Sequence, residues 1–140
     1  MTVPAEAARL RIRRLRAADL KAVMAIERES YPMPWPRRMI DAELARPDGI
    51  CLVADVAGQI LGYILVTLQF DVWHILNVTV HPLHRGRRIG EALLRATMRI
   101  GDRRPHQGYT LEVRGSNASA IQLYERVGLT RNGGRQRYYS

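Results

Sequence analysis

The sequence of 140 residues has almost no lysine: Lys21 is the only one, although lysine and arginine together number 22. Against 13 acidic residues this gives a formal net charge of +9, carried almost entirely by arginine. An arginine side chain binds a phosphate through two parallel hydrogen bonds, which a lysine cannot do. The charge therefore indicates an anionic partner: a phosphorylated cofactor, RNA or a membrane surface. The alternative is an arginine bias that reflects genome composition alone.

Cysteine, long apolar runs and metal-binding patterns are also scarce. Cys51 is the only cysteine, which excludes a disulfide within the chain and a thiolate metal cluster. No stretch approaches the roughly 18 apolar residues of a membrane span, and the N-terminus lacks the apolar segment of a signal peptide. The four histidines show no metal-ligand spacing such as HExxH. We therefore expect no metal, no membrane association and a cytoplasmic location.

Turn residues and apolar periodicity predict a single α/β domain over residues 1–140. No repeat, low-complexity tract or linker interrupts the chain, and its length suffices for one hydrophobic core. The patterns predict, in chain order, strand 10–15, helices 17–30 and 37–45, a hairpin of strands 50–56 and 60–69, strand 72–80, helix 89–101, strand 108–114, helix 117–127 and strand 136–139. This order predicts a mixed sheet with helices on both faces.

A basic loop between a predicted strand and a predicted helix is the most informative local feature. It lies within Val78–Gly90 and reads H-P-L-H-R-G-R-R over residues 81–88. The start of a helix offers unpaired backbone N–H groups and the positive end of the helix dipole, and both attract anions. The loop matches neither the P-loop nor GxGxxG. From these features alone, a phosphate site and a solvated basic loop are equally open.

Two further motifs resemble those of a known family. Residues 111–128 read L-E-V-R-G-S-N-A-S-A-I-Q-L-Y-E-R-V-G, and residues 31–35 read Y-P-M-P-W. Together with Arg85-x-x-x-x-Gly90, they resemble the GNAT superfamily of acetyltransferases and, within it, the ribosomal-protein N-terminal alanine acetyltransferases. The similarity covers residues 10 to 139. The long block is the specific signal, and the loop alone is a weak one.

The resemblance implies an acetyl-CoA site. The pantetheine arm of the cofactor would pair with a strand backbone and with Asn117, and the pyrophosphate would lie at the loop and the helix start. Asn117 is equally compatible with a local contact at the start of a helix. The implied cofactor-binding residues are Val78, Thr79, Val80, Arg85, Gly86, Arg87, Arg88, Ile89, Gly90, Glu91 and Asn117.

Glu112 and Tyr124 are the catalytic residues that the resemblance implies. In strand 108–114, Leu111 and Val113 point to one face and Glu112 to the other, where Glu112 would act as general base on the amine. Tyr124 would protonate the departing CoA thiolate. By residue type and spacing alone, Glu112 is an ordinary surface glutamate, and Tyr124 is a core residue of a helix.

Tyr31, Trp35 and Tyr138 are the candidates for the acceptor groove, with packing of a loop and a terminal strand as the alternative. The implied reaction transfers an acetyl group from acetyl-CoA to the N-terminal α-amine of a protein, with a ribosomal protein as the specific expectation. The competing hypotheses are a GNAT enzyme acting on a small-molecule amine and a non-catalytic RNA- or ribosome-binding module. The arginines of residues 9–16 would favour the latter, so direct RNA binding stays open.

The sequence departs from the family pattern in two places. The first glycine of the family's loop falls at Arg88, where a side chain could crowd the pyrophosphate or add a cation to it; we favour the cation, because Gly86 supplies flexibility nearby. Members of the family also carry one more strand after the Tyr-Tyr segment. The sequence ends at Ser140, so we expect this last strand to be missing: either the sequence is truncated, or a partner chain fills the place inside the sheet, or a gap is left.

Overall fold

The computed structural model of the protein describes residues 9–86, 88–112, 118–131 and 137–139. These residues form a seven-stranded sheet with the order β1-β2-β3-β4-β5-β7-β6. Neighbouring strands are antiparallel, except that β4 and β5 are parallel. The strands are β1 (Leu10–Arg14), β2 (Ile50–Val56), β3 (Gln59–Gln69), β4 (Val72–Val80), β5 (Tyr109–Glu112), β6 (Thr130–Arg131) and β7 (Arg137–Tyr139).

Helices cover both faces of this sheet, so the predicted α/β architecture is confirmed. The helices of the described residues are α1 (Leu20–Ser30), α2 (Arg37–Leu44), α3 (Ile89–Gly101) and α4 (Ala118–Arg126). Apolar side chains of α1 and α2 form one buried cluster with β2 and β3. Those of α3 and α4 form a second cluster with β2, β3, β4 and β5. The sheet therefore separates two cores, each built from one face of its strands.

A bulge in β4 changes which side chains face each core. Asn77 pairs with Leu65 of β3, and Ile75 pairs with the next residue, Val66, so Leu76 is the extra residue of a β-bulge. Ile75 is buried in the core beneath α3. Asn77 is buried as well, but its side chain contacts α1. The bulge therefore turns polar side chains of the second half of β4 toward α1.

The parallel strands β4 and β5 separate at the same point. Their pairing runs from Trp73↔Tyr109 to Ile75↔Leu111 and stops there, whereas β4 continues to Val80. Within the described residues, the backbone of residues 76–80 therefore has β3 on one side and no strand on the other. A strand edge of this kind presents N–H and C=O groups to whatever lies in the opening.

Of the three alternatives for the last strand, the described residues do not show the gap inside the sheet. The segment predicted as strand 136–139 forms β7, which lies between β5 and β6 and pairs antiparallel with both. The sequence missed β6, because two residues are too few to show an alternating pattern. Because β6 pairs with the outer side of β7, β7 is an interior strand of the sheet and β6 is the edge strand.

Candidate active site

The loop after β4 is folded onto the end of that strand. The Arg85 Nε–H donates to the Val80 carbonyl at 3.1 Å, and the His81 N–H donates to the Leu61 carbonyl at 2.7 Å. Gly86 adopts a φ of +83°, a left-handed conformation that glycine enters without steric cost. These contacts bring the basic loop and the start of α3 beside the open edge of β4.

The start of α3 has backbone N–H groups that suit the predicted anion site. The first N–H groups of a helix have no acceptor within the helix, and the side chain of Arg88, which precedes α3, makes no capping hydrogen bond to them. Gly90 is buried against α4: a Cβ at Gly90 would lie 2.9 Å from Leu123 Cδ2. The missing side chain therefore lets α3 and α4 pack closely next to the helix start.

Arg88 adopts the left-handed conformation that the family's glycine would favour, with a φ of 61°. Its side chain is exposed and reaches Glu91 at 3.4 Å. Whether this side chain crowds the pyrophosphate or adds a cation to it therefore stays a prediction. The missing glycine of the family pattern identified this position in the sequence. The left-handed backbone conformation of Arg88 could not be predicted from the sequence.

Glu91, in the first turn of α3, forms ion pairs with nearby arginines. Its carboxylate lies 2.9 Å from Arg95 Nε and 3.0 Å from Arg126 Nη1 of α4. The hydrogen bond from Arg95, followed by that from Arg126, holds the pKa of Glu91 below its usual range. Glu91 thus stays ionised and links α3 to α4. This contact is structural, and the predicted role of Glu91 in cofactor binding stays a prediction.

Replacing Arg88 with glycine is expected to raise the free energy of unfolding by about 1 kcal/mol, because the left-handed conformation costs an L-residue about 1–2 kcal/mol and costs glycine nothing. Because Arg88 is predicted to add a cation at the pyrophosphate of CoA, the same change is also expected to weaken CoA binding. Thermal unfolding and a CoA titration measure the two effects. Arg88→Ala is the control, because it removes the charge but keeps the backbone strain. A glycine variant that unfolds at a lower temperature than the parent would contradict the assignment.

The predicted acceptor loop joins β4 through a buried polar network. The Tyr31 hydroxyl lies 2.7 Å from Thr79 Oγ1, and Thr79 Oγ1 donates to Asn77 Oδ1 at 2.6 Å. Asn77 Nδ2 donates to Glu27 Oε1 at 3.0 Å, and the Trp35 backbone N–H donates to Glu27 Oε2 at 2.8 Å. Two predicted acceptor residues, one at each end of the loop, therefore meet in one network.

Glu27 is the centre of this network and was missed by the sequence reasoning. It is fully buried in α1, and the Tyr63 hydroxyl of β3 also donates to it. Burial, followed by the bond to Glu27, raises the pKa of Tyr63 well above its usual range, against a smaller opposing contribution from Thr79. Only its burial had a signal in the sequence, because Leu20, Val23 and Glu27 occur at helical spacing on the apolar face of α1.

The predicted catalytic residues lie on the other side of the opening. Glu112 is the last residue of β5, one residue beyond its last pair with β4, and is opposite Arg137 of β7. Tyr124 of α4 is buried, with 6% of its surface exposed, in the core beneath α3. Its predicted packing role is therefore confirmed, whereas its role as acid stays a prediction.

Some predicted site residues lie outside what the structure describes. Arg87 and Asn117 are outside the described residues, as are the side chains of Glu112 and Tyr138. The backbone of Tyr138 is placed in β7, paired with Leu111 and Arg131. The assignments of these residues therefore stay predictions.

Within the described residues, neither the single cysteine nor the groups that could bind a metal ion form a reactive site. Cys51 is buried in the core beneath α1 and α2, and burial raises the pKa of its thiol to about 11, so it is protonated at neutral pH and a poor nucleophile. The described residues contain no cluster of three or more histidine, cysteine, aspartate or glutamate residues arranged to hold a metal ion. None of their helices is both long and apolar enough to span a membrane.

Two parallel strands diverge beside the start of a helix, and this arrangement is typical of acetyltransferases. The chain belongs to the acetyltransferase (GNAT) family, whose sequence model matches residues 20–129. The match begins with α1 and ends just after α4, so it includes the opening, the basic loop and the network around Glu27. The predicted family and the predicted class of enzyme, an acetyl-CoA-dependent N-acetyltransferase, are confirmed.

Within the family, the chain is similar to N-terminal acetyltransferases. It is 34% identical over 129 residues to the N-alpha-acetyltransferase RimI of Mycobacterium tuberculosis, covering 89% of this chain and 77% of that protein. It is 29% identical over 126 residues to the [ribosomal protein bS18]-alanine N-acetyltransferase of Escherichia coli K12, covering 89% and 84%. The crystal structure of Arabidopsis thaliana NAA60 in complex with acetyl-CoA superposes with a TM-score of 0.78 at 18% identity, covering 94% of this chain and 96% of that one. This last likeness shows the shared fold.

Proposed function

We propose that this protein transfers the acetyl group of acetyl-CoA to the N-terminal α-amine of a protein, with a ribosomal protein as the expected acceptor. The observation that carries the proposal is the 2.7 Å contact between the Tyr31 hydroxyl and Thr79 Oγ1. It joins the predicted acceptor loop to the unpaired stretch of β4, where the cofactor is expected to pair. The names of the M. tuberculosis and E. coli relatives support the same acceptor class.

The described residues fit a CoA thioester. The open edge of β4 offers backbone groups to an amide-containing arm, and Arg85 and the start of α3 offer donors to a diphosphate. At Gly62 of β3 a Cβ would lie 2.9 Å from the Thr79 carbonyl oxygen, so the strands that support this edge are packed without space for a side chain. The thioester supplies an activated acetyl group, which means that the protein needs no nucleophile of its own.

The acceptor must lose a proton before it can attack. An α-amine with a pKa of about 7.7–8.0 costs about 1 kcal/mol to deprotonate at pH 7, whereas a lysine with a pKa of about 10.4 costs about 4.6 kcal/mol. A single carboxylate is therefore an adequate base for an N-terminal amine. Glu112, at the mouth of the opening, is the residue that we assign to this role.

Two further groups complete the proposed mechanism. A backbone N–H of Val78, Thr79 or Val80 stabilises the negative charge that develops on the carbonyl oxygen, because donors fixed in place before the reaction need no reorganisation. Tyr124 returns a proton to the departing thiolate. Direct attack by the amine requires no covalent enzyme intermediate, which agrees with the buried, protonated Cys51.

The test is a CoA-release assay on a matched acceptor panel. Short peptides with free alanine, serine or methionine N-termini should be acetylated, and the same peptides with a blocked N-terminus and an internal lysine should not. Polyamines and aminoglycosides form the comparison set. Faster turnover of a small amine than of every peptide would overturn the proposed acceptor, and RNA binding without any turnover would favour the non-catalytic alternative.

Replacing Arg85 with alanine is expected to weaken CoA binding about tenfold at low salt, because a charge-assisted phosphate contact contributes about 1.5–3 kcal/mol when it is not screened. The difference from the parent should shrink as salt rises from about 0.1 M to about 1 M, where the Debye length falls from about 10 Å to about 3 Å. Calorimetric titration with CoA measures it.

Two controls isolate the phosphate contact of Arg85. Arg99→Ala removes the same charge from an exposed position near the other end of α3 and should leave the Kd of CoA unchanged. Pantetheine, which lacks the diphosphate, should bind parent and Arg85→Ala alike. An equal loss of pantetheine binding would show that Arg85 acts by shaping the loop rather than by contacting phosphate.

A further inference from the structure

Four charged side chains meet where the first turn of α3 faces the end of α4. Glu91 Oε2 lies 2.9 Å from Arg95 Nε, and Glu91 Oε1 lies 3.0 Å from Arg126 Nη1. Arg88 Nη1 lies 3.4 Å from the same Oε1. Arg95 Nη2 also donates to the Arg126 carbonyl at 3.5 Å. These contacts hold three guanidiniums around one carboxylate, and we call the four residues the Glu91 cluster.

The arginines of the Glu91 cluster face solvent, whereas its carboxylate is largely buried. Only 14% of the Glu91 side chain is exposed, compared with 41% to 72% of each arginine side chain. A guanidinium has five N–H donors. The contacts within the described residues use one donor of Arg88, one of Arg126 and two of Arg95. A ligand that approaches the cluster from solvent therefore meets guanidinium donors before it meets the carboxylate.

The charge of the cluster matches that of a phosphate monoester. Three guanidiniums and one carboxylate give a formal net charge of +2, and a phosphate monoester carries about −1.5 to −2 at pH 7. Arginine also matches the geometry of phosphate, because its planar group donates two parallel hydrogen bonds. The ion pairs with Glu91 hold the guanidiniums in place before a ligand arrives, which lowers the entropic cost of binding.

CoA carries a phosphate monoester close to its diphosphate. The 3′-phosphate is attached to the ribose whose 5′ oxygen bears the diphosphate, so one sugar separates the two groups. The diphosphate is predicted at the basic loop and the start of α3, which Arg88 directly precedes. Arg95 lies one helical turn, about 5.4 Å, beyond Glu91. The cluster therefore begins at the predicted diphosphate site and extends from it over a distance comparable with one sugar.

We propose that the three arginines of the Glu91 cluster form a site for the 3′-phosphate of CoA, through which the protein distinguishes CoA from dephospho-CoA. The inference rests on the use of acetyl-CoA in the proposed function. Glu91 is a positioning residue, because its carboxylate orients the arginines and makes no contact with the phosphate itself. Part of the excess of arginine over lysine thereby serves recognition of the cofactor.

Calorimetric titrations with CoA and with dephospho-CoA, which lacks only the 3′-phosphate, test the site without activity. The parent is expected to bind CoA about tenfold more tightly than dephospho-CoA, which corresponds to about 1.4 kcal/mol. A double variant with Arg95→Gln and Arg126→Gln should weaken CoA binding about tenfold and leave the Kd of dephospho-CoA within about twofold. Damage to the contact between α3 and α4 would weaken both ligands alike, so the ratio of the two Kd values separates phosphate binding from a structural role.

Two further variants serve as controls. Arg99→Gln combined with Arg103→Gln removes two exposed arginines near the other end of α3 and should leave both Kd values unchanged. Arg85→Ala, at the predicted diphosphate contact, should weaken CoA and dephospho-CoA by the same factor. Arg88 stays unchanged in these experiments, because its removal would also alter the predicted diphosphate site and the strained backbone before α3.

The outcomes distinguish the site from the proposed function. Equal affinity of the parent for CoA and dephospho-CoA overturns the proposal, as does a double variant that weakens both ligands equally. A double variant that loses affinity for a single-stranded RNA oligonucleotide but keeps the preference for CoA also overturns it, and assigns the arginines to nucleic acid. A parent that binds neither ligand overturns the proposed function as well, whereas a parent that prefers CoA about tenfold but acetylates no peptide supports the site and overturns the proposed acceptor.

Discussion

Replacing Glu112 with glutamine is expected to lower kcat by tenfold or more, while acetyl-CoA binds as tightly as in the parent. General-base catalysis by a positioned side chain contributes about 10²–10⁴-fold. Glutamine keeps the size of the side chain and its capacity for hydrogen bonds, but it cannot take a proton at neutral pH. A change confined to kcat indicates an interaction that operates in the transition state rather than in substrate binding.

The position of Glu112 in the sheet supports this expectation. It follows Leu111, the last residue of β5 that pairs with β4, so it stands where the two strands begin to diverge. Leu111 is buried in the core beneath α3, and the alternation of a strand predicts the opposite face for the next residue. That is the face of α1 and the acceptor loop, from which the amine would arrive.

The pH dependence separates a base from a residue that merely orients the peptide. In the Glu112→Gln variant the rate should recover partly as pH rises above about 8, because the α-amine then loses its proton to solvent. A loss that is constant across pH would indicate positioning instead. Glu125→Gln changes an exposed carboxyl of α4 in the same way and should retain the rate of the parent. A Glu112→Gln variant with full kcat would refute the assignment.

The long elements of the fold were predictable from sequence because their apolar patterns extend over many residues. Strands 50–56 and 72–80 and helix 89–101 occur with the predicted bounds. The predicted helix 17–30 begins instead with a 3₁₀ turn at Ala17–Asp19, where the Asp19 carboxylate accepts the Arg16 N–H and pairs with Arg13. A contact between β1 and this turn depends on tertiary structure, which a local pattern does not contain.

In the candidate site too, the features that lie within one stretch of sequence could be predicted, and the contacts between distant residues could not. The basic loop and the start of α3 could be predicted, because both lie within one continuous stretch of sequence. The network around Glu27 could not, since it joins α1, β3 and β4 across up to 50 residues of sequence. Its alignment depends on the bulge at Leu76, which turns Asn77 toward α1. Nothing in the alternating pattern of residues 72–80 marks where an extra residue would fall.

Replacing Tyr124 with phenylalanine is expected to lower kcat by tenfold or more, with little effect on acetyl-CoA affinity. The Tyr124 ring of α4 is buried in the core that α3 forms with the sheet, and phenylalanine preserves most of that packing. Only the hydroxyl is lost, and with it the proton that the departing thiolate would receive. An unfolding temperature close to that of the parent would confirm that the core is intact, whereas Tyr124→Ala would leave a cavity costing about 3–5 kcal/mol.

The leaving group provides the decisive comparison for Tyr124. A thiol such as that of cysteine has a pKa of about 8.5, so its thiolate benefits from protonation as it departs near neutral pH. Acetyl thioesters of more acidic thiols need this help less. The rate deficit of Tyr124→Phe should therefore shrink as the pKa of the leaving thiol falls, whereas a tyrosine that only positions the substrate would give the same deficit with every donor. The ring fills the core in both the parent and Tyr124→Phe. The dependence of the rate deficit on the leaving thiol therefore identifies the hydroxyl as the acid, whereas the size of the deficit alone does not.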